Sequence, residues 1–138
     1  MRCATIRRHA MVEAVVDASA LVDLLLGNKL GNAVQRCIAG HALHAPAHLD
    51  AEILSALGRL ERAGAIEADD VETMLRRLAA APIERHPVTN LLLGAWGRRD
   101  QLRLADALYV ELAASRDVPL ITTDRRLRPV SGAEVVAA

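Results

Sequence analysis

Apolar residues along the chain follow two rhythms. Short aliphatic runs at Val12–Val16, Ile83–His86 and Leu120–Thr122 read as strands, with residues 44–46 a brief strand or turn and residues 134–136 a last short strand. Between them the spacing is helical. Ser19 is placed to cap a helix over residues 20–26, stopped by Gly27 and Asn28, and a second helix fits residues 31–39 before Gly40. Leu49, Ile53, Leu57 and Leu60 recur at i, i+4, i+8 and i+11, which predicts a helix over residues 49–63. Residues 69–80 form another, with Asp69 and Asp70 at its start and Arg76 and Arg77 near its end, as the helix dipole favours. Helices over 89–98 and 104–114 complete the series. Strands alternating with helices imply a parallel α/β sandwich.

Four acids break the apolar pattern. Asp17 follows Val15 and Val16, and Asp124 follows Leu120-Ile121-Thr122-Thr123. Asp106 lies within Leu104-Ala105-Asp106-Ala107-Leu108, and Glu52 within Ala51-Glu52-Ile53-Leu54. A carboxylate in apolar surroundings is costly unless it is paired, protonated or bound to a metal. Ligands of parallel sheets bind beyond the carboxyl ends of the strands, where Asp17 and Asp124 stand. At about 100° per residue, Asp106 shares its helix side with Val110 and Ala113, whereas Glu111 is turned toward water. Glu52 sits on the margin of its stripe, and Asp50 suits the helix start. Taken singly, each acid has a plain structural role. Asp17 or Asp124 suits a cap, Glu52 a solvated helix face, and Asp106 a salt bridge to an arginine. Together they form a site for a hard divalent cation such as Mg²⁺ or Mn²⁺.

Composition narrows the classes. A chain of 138 residues with 52% apolar content suits one domain, its core aliphatic because Trp96 and Tyr109 are the aromatic residues. No apolar stretch approaches the roughly 18 residues of a membrane span. Cys3 and Cys37 form no disulfide or zinc pattern, which favours a cytoplasmic location. Arg2, Arg7 and Arg8 come with no acid among residues 1–10. Residues 1–11 therefore read as a disordered basic extension or an upstream start, not as a signal peptide. The remainder, residues 12–138, reads as one domain.

In order and spacing, Val16-Asp17-Ala18-Ser19-Ala20, Ala51-Glu52-Ile53-Leu54-Ser55, Leu104-Ala105-Asp106-Ala107-Leu108-Tyr109 and Leu120-Ile121-Thr122-Thr123-Asp124 resemble the four acidic motifs of PIN-domain nucleases. The chain is similar to the small VapC toxins of bacterial toxin–antitoxin modules, particularly actinobacterial ones. That resemblance implies a single PIN domain over residues 12–138, a three-layer α/β/α sandwich with a short parallel central sheet. It also implies a metal-dependent endoribonuclease leaving a 5′-phosphate and a 3′-hydroxyl, restrained by a VapB-type antitoxin and forming a homodimer. By the same carry-over, Asp17, Glu52, Asp106 and Asp124 are the catalytic and metal-site residues, with the Ser19 and Thr122 hydroxyls supporting them. Arg98, Arg99, Arg103, Arg125, Arg126 and Arg128 flank the last two motifs and are candidates for RNA phosphates. The alternative is a catalytically silent PIN-like interaction module whose acids bind an arginine-bearing partner.

Other constellations are weaker. His41, His44 and His48 have a zinc-like spacing, but Pro46 interrupts any common helix and no further clustered ligand completes a tetrahedron. His86 is half of a possible two-histidine, metal-free ribonuclease. A phosphoacceptor receiver needs a lysine after a late strand, and Lys29 lies in an early loop. No Gly-rich phosphate loop is present. Apolar stripes on residues 19–26 and 49–60 suit core packing first, and an antitoxin helix or second copy otherwise.

Overall fold

Five short strands, β1 (Val12–Val16), β2 (His41–Pro46), β3 (Ile83–His86), β4 (Leu120–Thr122) and β5 (Ala133–Val135), pair in parallel in the order β3-β2-β1-β4-β5. The computed structural model describes residues 12–138, so the expected extension over residues 1–11 lies outside the described residues. β1 is central, and Ala14, Val15 and Val16 are fully buried there, which is why this run is unbroken rather than alternating. Helices α1 (Ala18–Leu26), α2 (Lys29–Ile38), α3 (Leu49–Arg62) and α4 (Ala68–Ala80) pack on one another, and α5 (Leu92–Trp96) pairs with α6 (Leu104–Arg116), which packs on β1, β2 and β4. The result is the expected α/β/α sandwich. Among the described residues no helix is long and apolar enough to cross a membrane.

The chain leaves β1 for β2 on one side and returns at β4 on the other. The carboxyl ends of β1 and β4 thus flank the point where the strand order reverses, and a parallel sheet opens a crevice there. Leu49, Ile53 and Leu57 of α3 are fully buried, as are Leu21 and Leu25 of α1 nearly so. The two apolar stripes identified from spacing are therefore core.

Several expectations shift in the structure. The cap of α1 is Asp17, whose carboxylate accepts from the Ala20 amide, and Ser19 lies within the first turn. Two residues earlier than expected, α2 starts behind Asn28, whose side chain accepts from the Gly31 amide. Gly31 is required here because a Cβ would collide with the Asp23 carbonyl of α1. β2 runs over the full His41–Pro46, since both flanking strands supply ladder partners that its mixed sequence does not advertise. The single helix expected over 89–98 is instead a 3-10 turn, Val88–Leu91, followed by the five-residue α5. Gly94 and Gly97 weaken helix continuity, and Gly94 lets α5 lie against Glu111 of α6.

Asp50, near the start of α3, forms a paired contact with Arg85 of β3 at 3.0 and 3.2 Å. The same guanidinium donates to the carbonyls of Leu78 and Ala81 at the end of α4. These carbonyls stand at the frayed end of α4, accepting also from the Ala81 and Ile83 amides, so Arg85 joins α3, α4 and β3 at one point. This fixes the orientation of the turn that carries Glu52.

Candidate metal centre

Asp17, Glu52, Asp106 and Asp124 line one cleft of about 340 Å³ at the carboxyl edge of the sheet. Their elements differ: the end of β1, the first turn of α3, the first turn of α6 and the turn after β4. Ser19 also faces the cleft, and Thr122 is fully buried behind it.

Asp17 is the most tightly held. Its Oδ1 accepts from the Ser19 hydroxyl at 2.7 Å and the Ala20 amide at 3.0 Å, and its Oδ2 accepts from the Thr122 hydroxyl at 2.5 Å. Ser19 and Thr122 in turn approach to 3.1 Å, while the Thr123 amide donates to Ser19 and the Asp124 amide to Thr122. Two hydroxyls thereby tie the ends of β1 and β4 together around one carboxylate. Burial raises the Asp17 pKa from 3.8 to about 6 against the pull of these bonds, and the Asp106 charge adds to the rise. Desolvation also raises Asp106, opposed by Arg103 and reinforced by Asp124 and Glu52. Asp124 moves the other way, chiefly because Arg126 donates to it.

Glu52 is oriented by two side chains that motif spacing does not identify. The Tyr109 hydroxyl donates to its Oε1 at 2.6 Å, and His48 Nε2 lies 3.3 Å from the same atom. His48 also reaches the Ala105 carbonyl at 3.1 Å and packs its ring on Tyr109. Burial and the Glu52 bond push the Tyr109 phenol far above its ordinary pKa, so it stays a donor. Asp50, by contrast, is committed to Arg85, which separates the two neighbouring acids of α3 by structure.

The arginines divide. Arg103 and Arg126 line the cleft with Arg59, which the sequence reading did not single out. Arg126 grips Asp124 with both Nε and Nη2, at 2.6 to 3.1 Å, and Arg103 Nε is 3.6 Å from Asp106. Arg98 is paired with Glu111 at 2.9 Å, and Arg99 lies over the Trp96 ring, so neither lines the cleft. Arg125 and Arg128 are exposed on and just after the turn that follows Asp124. Asp23 also reaches the rim, held by Thr123 at 2.7 Å and Asn28 at 2.8 Å. It lies in the middle of α1, where nothing in the apolar spacing distinguishes it from a solvated acid.

The donor set is oxygen-only, carboxylate-rich and partly desolvated. Such charges repel one another unless a cation or proton intervenes, so these residues fit a hard divalent cation. The partly exposed arginines meet only the outer acids, Asp124 and Asp106.

Comparisons with known proteins agree with this geometry. The family profile described as "PIN domain" matches residues 14–133. The chain is 54% identical over 116 residues to Ribonuclease VapC3 of Mycobacterium tuberculosis, covering 83% of this chain and 85% of that one. Its fold is similar to the crystal structure of PAE2754 from Pyrobaculum aerophilum, with a TM-score of 0.66, 28% identity and 91% of each chain covered. It also resembles a chain of VapBC-5, a member of the VapBC family of toxin–antitoxin systems from Mycobacterium tuberculosis. There the TM-score is 0.55 and the identity 22%, over 92% of this chain and 99% of that one.

Proposed function

The chain belongs to the PIN-domain family and to its VapC ribonucleases, and from that premise we propose that Asp17, Glu52, Asp106 and Asp124 are the metal-site and catalytic residues of an RNA-cleaving toxin. The observation that carries the assignment is the convergence of the four acids in one cleft at the strand-order reversal. A Mg²⁺ or Mn²⁺ ion held there supplies Lewis-acid stabilisation of the phosphate and a more acidic water. The protein positions and balances charge. Ser19 and Thr122 fix the Asp17 carboxylate in one rotamer, and Tyr109 and His48 do the same for Glu52. Arg103, Arg126 and Arg59, and Arg125 and Arg128 beside them, are placed to draw the RNA backbone toward the acids. Arg98 and Arg99 are too committed to Glu111 and Trp96 for a first contact. Tyr109 is almost fully buried, so it offers no face for stacking a base.

Purified protein is expected to cleave RNA with Mg²⁺ or Mn²⁺, to stop when the cation is chelated, and to resume when it is restored. Cleavage that persists through chelation would overturn the metal assignment. A cognate VapB-type antitoxin is the proposed restraining partner. The way Arg126 seats on Asp124 shows that a guanidinium fits this cleft, so an antitoxin arginine is a suitable plug.

A second copy of the chain is the other proposed partner. Leu92, Leu93, Ala95, Trp96, Leu104 and Leu108 line one almost wholly apolar surface across α5 and α6, with Leu93 88% and Trp96 56% exposed. Side chains of this kind are left in water only at a cost, and a twofold contact buries the same patch twice. Leu93→Glu is expected to weaken self-association by at least roughly 100-fold, through loss of a central contact and burial of a charge. Light scattering across a dilution series reads the change, and an unaltered mass would move the interface elsewhere.

A further inference from the structure

Away from the acid cleft, three strands bring a different set of side chains together. His44 of β2 is 3% exposed, and its Nδ1 lies 2.8 Å from Nε2 of His86 on β3. Glu84, two residues before His86 on the same strand and in register with His44, brings Oε2 to 3.3 Å from that Nδ1 and Oε1 to 4.0 Å from His86 Nε2. The three ligand atoms lie within 4.8 Å of one another. None of these residues lines the acid cleft.

The protonation chemistry is restrictive. His44 Nε2 faces Glu13 Oε1 at 2.7 Å, and Glu13 is also held by Arg116 at 3.1 Å. An ionised carboxylate only accepts, so His44 donates from Nε2 to Glu13, and its neutral ring then presents a lone pair at Nδ1. A carboxylate behind the outer nitrogen of an imidazole is the arrangement that orients and strengthens a metal-ligating histidine. Facing that lone pair are His86 Nε2 and a mobile-length carboxylate that is two-thirds exposed.

We propose that His44, His86 and Glu84 form a second cation site, selective for a borderline ion such as Zn²⁺ and separate from the acid cleft. Bonds of about 2.0–2.1 Å in a tetrahedron place neighbouring ligand atoms roughly 3.3 Å apart. The 2.8 Å between the two imidazole nitrogens and the 3.3 Å from Glu84 Oε2 to His44 lie near that value, and the other Glu84 oxygen stands 4.0 Å from His86. Seating the ion requires a small opening of the histidine pair and a rotamer change at exposed Glu84. In the same step the His86 proton moves from Nε2 to Nδ1, and no proton need leave a neutral pair. Two imidazoles with one carboxylate suit zinc, whereas four carboxylates suit magnesium, so the two sites sort ions by donor type. The bound ion would staple β2 to β3, with Glu13 extending the hold to β1. The His41, His44 and His48 spacing seen in the sequence is thus replaced by a set that only strand pairing brings together.

Zinc and cobalt binding by the tag-free full chain tests this, with Asp17→Asn and Asp106→Asn introduced to suppress the acid cleft. One equivalent of Zn²⁺ is expected by calorimetry, and Co²⁺ should show the intense visible bands of a four-coordinate site. Adding His86→Gln is expected to weaken zinc at least about 30-fold, and Glu13→Gln roughly 10-fold, the range found for ligand and outer-shell changes. His44 is too buried to substitute safely, so Glu84→Gln serves as the second ligand variant. Zinc should raise the melting temperature of the parent but not of the His86→Gln protein. Equal zinc affinity with and without His86→Gln, or imidazole nitrogen shifts of His44 and His86 unmoved by one equivalent of zinc, would overturn the site and leave a proton-sharing pair. His86→Gln in the otherwise native chain is expected to retain Mg²⁺-dependent cleavage, so failure here is distinguishable from failure of the acid centre.

Discussion

Asp17→Asn is expected to lower RNA cleavage by at least about 10³-fold while raising the melting temperature of the metal-free protein at pH 7.5. The first effect follows from removing a carboxylate from the proposed metal centre, comparable in scale to deleting a key electrostatic donor. The second follows from burial: Asp17 is 5% exposed, and desolvation is the largest influence on its carboxyl. An amide fits the same cage. Its oxygen keeps the Ser19 and Ala20 donors, and its NH₂ donates to Thr122, whose hydroxyl proton turns toward Ser19. Relief of a charged active-site group commonly stabilises by roughly 1–2 kcal/mol, about 3–6 °C for a chain of this size. Asp106→Asn should lose activity similarly with a smaller gain in stability, because Arg103 already opposes its desolvation. If Asp17 were only a helix cap, its replacement would leave cleavage intact. Loss of activity accompanied by a fall in melting temperature would instead point to damage of the fold.

The acids were legible in the sequence because strand ends and helix angles are local geometry. Asp17 and Asp124 each follow an apolar strand, and Asp106 shares a helix face with buried Val110. Glu52 and Asp50 were separable only through the motif resemblance. The physical separation comes from Arg85, 35 positions away, which takes Asp50 and leaves Glu52 to Tyr109. The 89–98 region departed from one continuous helix because helical spacing does not register the cost of Gly94 and Gly97, and a 3-10 turn and a short α5 result. His48, Tyr109 and the His44–His86 contact were invisible for a related reason. Each depends on register between β2 and β3 or on packing of α3 against α6, and no sequence period encodes either.

A titration of stability against pH should expose the charge stored at Asp17. Its folded pKa of about 6 lies above the ordinary 3.8, so the folded state holds this proton more tightly than the unfolded one. Stability contributed by the protonated group is complete below 3.8 and is lost as pH rises through about 6. Above that pH the gap corresponds to roughly 3 kcal/mol of destabilisation in the metal-free protein. Asp124 runs oppositely: Arg126 depresses its pKa, so its contribution is present above the ordinary value and lost on acidification. That pair is partly exposed and screened, which keeps its share small. His86, depressed by burial, also favours the folded state at higher pH, so total stability need not follow Asp17 alone. The difference between wild type and Asp17→Asn removes these shared contributions. The stability advantage of Asp17→Asn is therefore expected to be largest above pH 7 and to shrink steadily as pH falls from 6 toward 4. Mg²⁺ or Mn²⁺ should erase it from the other side, because a cation at a hundredfold excess over its Kd adds about 2.7 kcal/mol to the protein that binds it. Denaturant unfolding at several pH values, with and without cation, measures both arms. A difference that stays constant from pH 4 to pH 8 would mean that the Asp17 carboxyl is not the group that burial perturbs, and the electrostatic basis for a cation there would fall with it.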